Sequence, residues 1–253
     1  IPVILFLLYI IPMGYLDFSA IPRGDNGEIV YSKFMPVFPQ IDVTFGAAAL
    51  FALICFIVGI KRYWDDMTKN TGVTIKGNIT TAVIETVKEI FAHRRFKKCN
   101  VAKERSVSHL LVFYSFLGLA ITTTLAIVYL YGLKYESPYP LYDPLKIIGN
   151  ISALTLLYGI AVVINNRVKN AEKAGSGSYY DWLFIAIVTG TAITGMGAQL
   201  LRLADIAILA YPTYFLHLVF VFFLFAYAPF SKMAHMVYRT TAMVFAKYAN
   251  REG

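Results

Sequence analysis

The stretch FLHLVFVFFLFAYAPFSKMAH, residues 215–235, decides how the rest of the chain is read. It is almost wholly apolar, yet it carries a histidine near each end, His217 and His235, eighteen residues apart. On an α-helix each residue turns about 100° and rises about 1.5 Å, so eighteen steps are five whole turns and roughly 27 Å. The hydrocarbon slab of a bilayer is about 30 Å thick. One continuous helix would therefore hold both imidazoles on one side, near opposite faces of a membrane.

The rest of the sequence agrees with a membrane setting. Of 253 residues, 58% are hydrophobic and 15% charged, with a mean hydropathy of +0.60. That is too apolar for a soluble chain of this length. Six spans are expected: Ile1 to Phe18, Val43 to Ile60, Val107 to Tyr131, Pro144 to Ile164, Tyr180 to Leu201, and Pro212 through Pro229 to His235. The chain begins inside an apolar run without a charged leader, so the first span is expected to lack its start.

The net charge of +8 is not spread evenly. Eighteen of the 23 Lys and Arg residues lie in the gaps 61–106, 165–181 and 231–253. Only Arg23, Lys33, Lys134, Lys146 and Arg202 lie on the other side. This asymmetry places both termini in the cytoplasm of a multi-pass protein of the cytoplasmic membrane. It explains the basic total without nucleic acid, for which no motif is present. Between the second and third spans, residues 78–98 alternate charges with Val83, Ile84, Val87, Ile90 and Phe91 at helical spacing. They predict an amphipathic helix on the cytoplasmic surface, resting on the membrane or docking a partner.

Two cysteines, Cys55 and Cys99, cannot supply the four ligands of an iron–sulfur cluster. Histidines are the better ligand candidates, since an ionisable residue in a span is a functional hypothesis by default. His109 opens the third span at the depth expected for His235. One imidazole from each of two facing helices suits the iron of haem b, which bundle cores can hold. Zinc fits less well, for it wants about four ligands, often Cys or carboxylate. Gly118, Ala120, Gly149, Gly159, Gly190, Gly195 and Gly197 would give a porphyrin room, or serve ordinary helix packing. Arg105, Lys232 and Arg239 would meet propionates, or are plain cytoplasmic charges. His93, within HRRFKK, ligates only if its helix returns to the membrane.

These residues carry a resemblance. FLHLVFVFFLFAYAPFSKMAH, with its His–eighteen–His spacing and PFS element, resembles the last span of the haem b (gamma) subunit family of respiratory nitrate reductases. ERSVSHLLVFYSFLGL resembles the helix that supplies the partner ligands there. RRFKKCN, PLKIIGN, YYDWLF and FSKMAHMVYRTTAM extend the likeness along nearly the whole chain. That likeness is to the membrane part of the C subunit of quinone-interacting membrane-bound oxidoreductase complexes of sulfate-reducing microbes. The resemblance implies an all-α integral membrane protein with six transmembrane helices. It implies an accessory hairpin over 1–62 and a four-helix haem b core over 107–245. It also implies an iron–sulfur domain before residue 1. His109 and His235 would hold one haem. The ligand-helix position for a second partner is Leu119, so either an outer haem at His217 takes Lys146, Met196 or an empty site, or there is no outer haem.

The resemblance also implies a quinone pocket at Lys146, in YDPLKIIGN, with Asp143 and Tyr142 on a proton route. Asn150 lies one turn inside Lys146 on the same face. The implied function is a quinone-reactive electron-transfer subunit between menaquinone and cytoplasmic flavin and iron–sulfur subunits, and through them adenylylsulfate reductase. A haem-free membrane anchor and quinone-docking scaffold is the alternative. Transport is disfavoured, because acidic residues are absent from the span centres.

Overall fold

The computed structural model describes residues 22–71, 77–92, 103–169 and 179–250, together with Ile4. The expected first span thus lies outside the described residues. The protein is all-helical, 85% helix with no strand among the described residues. In chain order the helices are α1 (Tyr31–Phe34), α2 (Asp42–Thr71), α3 (Ile79–Ala92), α4 (Lys103–Ile127), α5 (Pro144–Lys169), α6 (Tyr179–Leu203), α7 (Ala207–Tyr227) and α8 (Lys232–Tyr248).

Five described stretches are long and apolar enough to cross a membrane: Val37–Lys69, Val107–Gly132, Pro144–Lys169, Tyr179–Leu203 and Ala207–Phe230. Only 6–28% of the residues in their most apolar windows are buried. The remaining residues are half-buried or exposed, which suits apolar side chains to lipid and not to water. Threonines in these helices satisfy themselves, as apolar surroundings require. The Oγ1 of Thr122 donates to the Gly118 carbonyl at 2.9 Å, and that of Thr189 to Ile185 at 2.7 Å.

The stretch 215–235 is not one helix. α7 ends at Tyr227, a tight turn covers Ala228–Phe230, and Ser231 is extended at φ −105°, ψ −174°. Pro229 has no N–H to continue the helix, and its ring crowds the preceding turn. Ser231 then restarts the chain, its Oγ accepting from the Met233 N–H at 3.1 Å as the N-cap of α8. The five-turn geometry expected for His217 and His235 is overturned. The span also begins earlier than Pro212, at Ala207, and α2 runs a full eleven residues past the expected end at Ile60, to Thr71.

The chain divides into two compact units, Ile1–Gly46 with Glu104–Leu224, and Ala47–Lys103 with Phe225–Gly253. In unit one, α4 to α7 share a core of Leu156, Ile160, Val188 and Ala192, flanked by Val112, Phe116 and Leu224. A second core seats the segment before α2 on α7: Ile29, Phe34 and Met35 pack with Ala210, Tyr211 and Leu218. Asp143 caps α5, accepting from the Leu145 N–H at 2.8 Å, with Pro144 at the first helical position.

In unit two, α8 runs beside α2. Phe51 meets Phe230 at 6.3 Å, Tyr63 meets Tyr238 at 5.7 Å and Trp64 meets Phe245 at 5.2 Å. α3 lies on α8 through buried Ala82 and Thr86, with Lys247 paired to Glu89 at 3.0 Å. Its next face, Ile79, Val83, Ile84, Val87 and Phe91, is exposed. The described part of the expected amphipathic helix is therefore helical with an apolar outer face, and residues 93–98 lie outside the described residues.

Candidate functional site

Unit one holds a cavity of about 220 Å³. α6 supplies Gly195, Ala198, Gln199 and Arg202, spaced so that all lie on one helical face. α7 supplies Tyr214 and His217, one turn apart, and α5 supplies Lys146 from its first turn. Ile29 and Tyr31 close the cavity from the segment before α2, and Ser137, Pro138 and Tyr139 from the turn before α5.

The polar groups are held in order. Lys146 Nζ donates to Gln199 Oε1 at 3.0 Å. The Gln199 amide nitrogen donates in turn to Asn150 Oδ1 at 2.7 Å. His217 Nδ1 lies 3.0 Å from the Thr191 carbonyl oxygen and 3.4 Å from Thr194 Oγ1. The ring sits tight against α6. A Cβ at Gly195 would come within 2.8 Å of His217 Cε1, so glycine is what allows this approach.

Tyr31 stacks on Tyr214 at 4.3 Å and 11°, and its hydroxyl donates to the Ala198 carbonyl at 2.5 Å. Burial pushes the Tyr31 phenol up to about 12. Tyr139 is also raised, first by burial and then by the Asp143 charge. The segment carrying Tyr31 is tied down at its start. The Tyr211 hydroxyl donates to the Pro22 carbonyl, and Arg23 pairs with Asp205 at 2.7 Å. Among the described residues the lining includes two cationic side chains, Lys146 and Arg202, and no carboxylate. Chemically, such a cavity offers several hydrogen-bond donors to an oxygen that holds or gains negative charge.

The family described as Citrate utilization protein B matches residues 3–252. The chain belongs to this family. It is similar to the Citrate utilization protein B of Escherichia coli, 25% identical over 253 residues, covering 93% of this chain and 65% of that relative. The chain thus spans less than two thirds of that relative's length. No solved structure matches it.

Within this member of the citrate utilization protein B family, the expected site residues fall in several places. Lys146 and His217 line one cavity. Asn150 stands behind it, holding Gln199. Asp143 is buried as the cap of α5, and Tyr142 is 82% exposed. Met196 is not among the lining residues. His109 is exposed near the start of α4 in unit one, and Arg105 lies in the first turn of that helix. His235, Lys232 and Arg239 are exposed on α8 in unit two. His93 and Cys99 lie outside the described residues. No cluster of three or more His, Cys, Asp or Glu that could hold a metal ion occurs among the described residues.

The glycines expected to make room for a porphyrin are taken up by helix packing. Gly118 faces Ser152, Gly149 faces Thr122, and Gly159 faces Leu111 and Val112, closing α4 on α5. Gly190 faces Phe220, Gly195 faces His217 and Gly197 faces Thr213, closing α6 on α7. Small residues let helix backbones approach, and here the neighbour fills the space. Sequence reasoning missed Gln199, Arg202, Tyr31 and Tyr214. A signal existed for two of them, since Gln199 and Arg202 share one face of α6 with Gly195.

Proposed function

We propose that the chain is the quinone-reactive electron-transfer subunit of a membrane oxidoreductase, with its quinone headgroup in the cavity of unit one. The observation that carries the reading is that cavity: Lys146, Gln199, Arg202 and His217 converge between membrane-type helices, without a carboxylate among the described lining residues. A quinone carbonyl needs a donor, and a quinol gives up protons as well as electrons. Lys146, held by Gln199, offers its ammonium to one oxygen. Arg202 adds a second cation that favours the anionic form. Tyr31 and Tyr214 present aromatic surface to a flat ring.

Menaquinone is the headgroup that the sequence resemblance points to. The same resemblance gives haem b as the electron carrier, with His109 and His235 as its axial imidazoles. Haem would supply one-electron transfer. The electrons would pass between menaquinone and cytoplasmic flavin and iron–sulfur subunits, with adenylylsulfate reductase beyond them. Six spans, the four-helix haem core and a cytoplasmic-membrane location with both termini inside belong to this reading.

A second reading comes from the relative's name and the cavity's charge. Two cations without a carboxylate also suit an organic acid related to citrate utilization. A pyridine haemochrome assay on the purified full-length protein, with steady-state oxidation of a menaquinol analogue, separates the readings. Haem b at one per chain or more, with turnover that Lys146→Ala lowers at least 10-fold, supports electron transfer. A haem-free protein inert to quinol, whose melting temperature rises with citrate, supports the second.

A further inference from the structure

We infer that His217 accepts a hydrogen bond, and then the proton, from the quinol in this cavity, and does not ligate iron. The inference rests on the cavity being the quinol site and deepens that reading.

The tautomer follows from the partners of the ring. A backbone carbonyl can only accept, so the contact of 3.0 Å with Thr191 puts the hydrogen on Nδ1. Thr194 does not reverse this, because its own hydroxyl hydrogen goes to the Gly190 carbonyl at 2.6 Å. Toward His217 that oxygen can only accept as well. Nε2 is then the unprotonated nitrogen and the sole acceptor of the ring. Of the cavity's basic side chains, Lys146 and Arg202 are donors. An acceptor beside two cationic donors suits a quinol, which donates from its hydroxyl and accepts at its developing quinolate oxygen.

The surroundings of His217 do not suit a haem. A cavity of about 220 Å³ lies below the roughly 300–1,000 Å³ of pockets for drug-sized ligands, and a porphyrin with its side chains is larger still. Among the described residues its lining holds no second imidazole, thioether or thiolate. Lys146 is engaged elsewhere, its Nζ donating to Gln199 Oε1 at 3.0 Å. Around His217 the glycines that would make room are filled by Phe220, Thr213 and the ring itself.

The step is a proton transfer. The quinol O–H bond breaks, an N–H bond forms at Nε2, and the bonding pair stays on oxygen. The products are imidazolium and quinolate, and no electron leaves in this step. Lys146 and Arg202 lower the energy of the quinolate. Its electrons leave afterwards, one at a time, to the carrier of the proposed function. Quinone reduction runs the same step backwards.

The test uses the purified full-length protein with His217→Asn and His217→Gln, 2,3-dimethyl-1,4-naphthoquinol as substrate and ferricyanide as acceptor. Asn keeps a donor near the Nδ1 position, so the bond to Thr191 can survive without the acceptor. Gln reaches toward Nε2 and keeps the fold where Asn does not. The expected result is an unchanged haem content per chain and a kcat lower by about 100-fold or more, with a smaller change in KM. A fall of one haem per chain in either folded variant makes His217 an iron ligand and overturns the inference. Unchanged haem with unchanged kcat makes the ring a packing element and also overturns it. If the unsubstituted protein does not oxidise the quinol, the cavity reading itself fails and this inference with it. If it does, and only the His217 variants behave as wild type, this inference alone fails.

Discussion

Gln199 is the residue on which the cavity's order depends. Its amide has one acceptor and two donors, and the two neighbours fix which way it points. Lys146 Nζ donates to Oε1, so the NH₂ must face Asn150, and it does. Gln199→Leu leaves both partners without their bond in a low-dielectric setting, at a cost of about 1–3 kcal/mol. It is read as a lower melting temperature in detergent, with a fall in quinol turnover because Lys146 loses its fixed position. Asn150→Leu acts at one remove and is expected to cost less; a larger loss there than at Gln199 would reverse the proposed order of the relay. Gly195 sets a steric limit on the same site. An alanine Cβ would lie 2.8 Å from His217 Cε1 and 3.0 Å from Nδ1. The ring cannot retreat without giving up Thr191, so Gly195→Ala is expected to destabilise by about 1–3 kcal/mol, read as a lower melting temperature in detergent. Tyr31 contributes a pH dependence with a definite sign. Burial raises its phenol from the ordinary 10.0 to about 12 in the folded protein. Its contribution to stability is therefore complete below about pH 10 and is lost as the pH rises toward 12, where the unfolded chain ionises first. Tyr31→Phe should flatten the fall in melting temperature across that interval.

At the scale of elements, the break between α7 and α8 is the feature that most changes the picture drawn from sequence. Ser231 holds the first turn of α8 through its Oγ, so Ser231→Ala should cost about 1 kcal/mol, and Ser231→Asp should restore most of it. Thermal melts followed at 222 nm report both, and equal melts for serine and alanine would mean the cap carries no energy. The break also shows where sequence reading stops. Spans were legible because apolar runs of this length have few other uses, and Lys146 and His217 stood out as ionisable residues inside them. The histidine spacing misled, because angles and rises hold only along an unbroken helix. Pro229 and the following serine were the local signs of a break, and both were read as part of a span. Gln199, Arg202, Tyr31 and Tyr214 were not legible for another reason. Their meeting depends on the rotation of α6 against α5 and on residues 22–36 folding back onto α7, contacts between residues far apart in sequence, 167 positions for Tyr31 and Ala198 and 189 for Pro22 and Tyr211. Composition and local periodicity carry no information about such pairings.

At the scale of the whole molecule, the uneven distribution of charge predicts which parts of the chain meet which solvent. Eighteen of 23 basic residues lie in three gaps between spans, and five in the others. Translocating a gap rich in Lys and Arg is disfavoured, so those three gaps should stay on the cytoplasmic side. Two exposed positions report the outcome. Tyr142, 82% exposed in the turn before α5, belongs to the gap expected outside. Lys88, exposed on α3, belongs to the richest basic gap. In a background with Cys55 and Cys99 changed to serine, Tyr142→Cys should react with a membrane-impermeant maleimide in intact cells. Lys88→Cys should react only once the membrane is opened. Labelling in the opposite pattern would invert the topology and move the cavity, with its Lys146 and Arg202, to the cytoplasmic half. The protons taken from quinol would then leave on the cytoplasmic side, so the labelling experiment decides whether turnover can contribute to a transmembrane proton gradient.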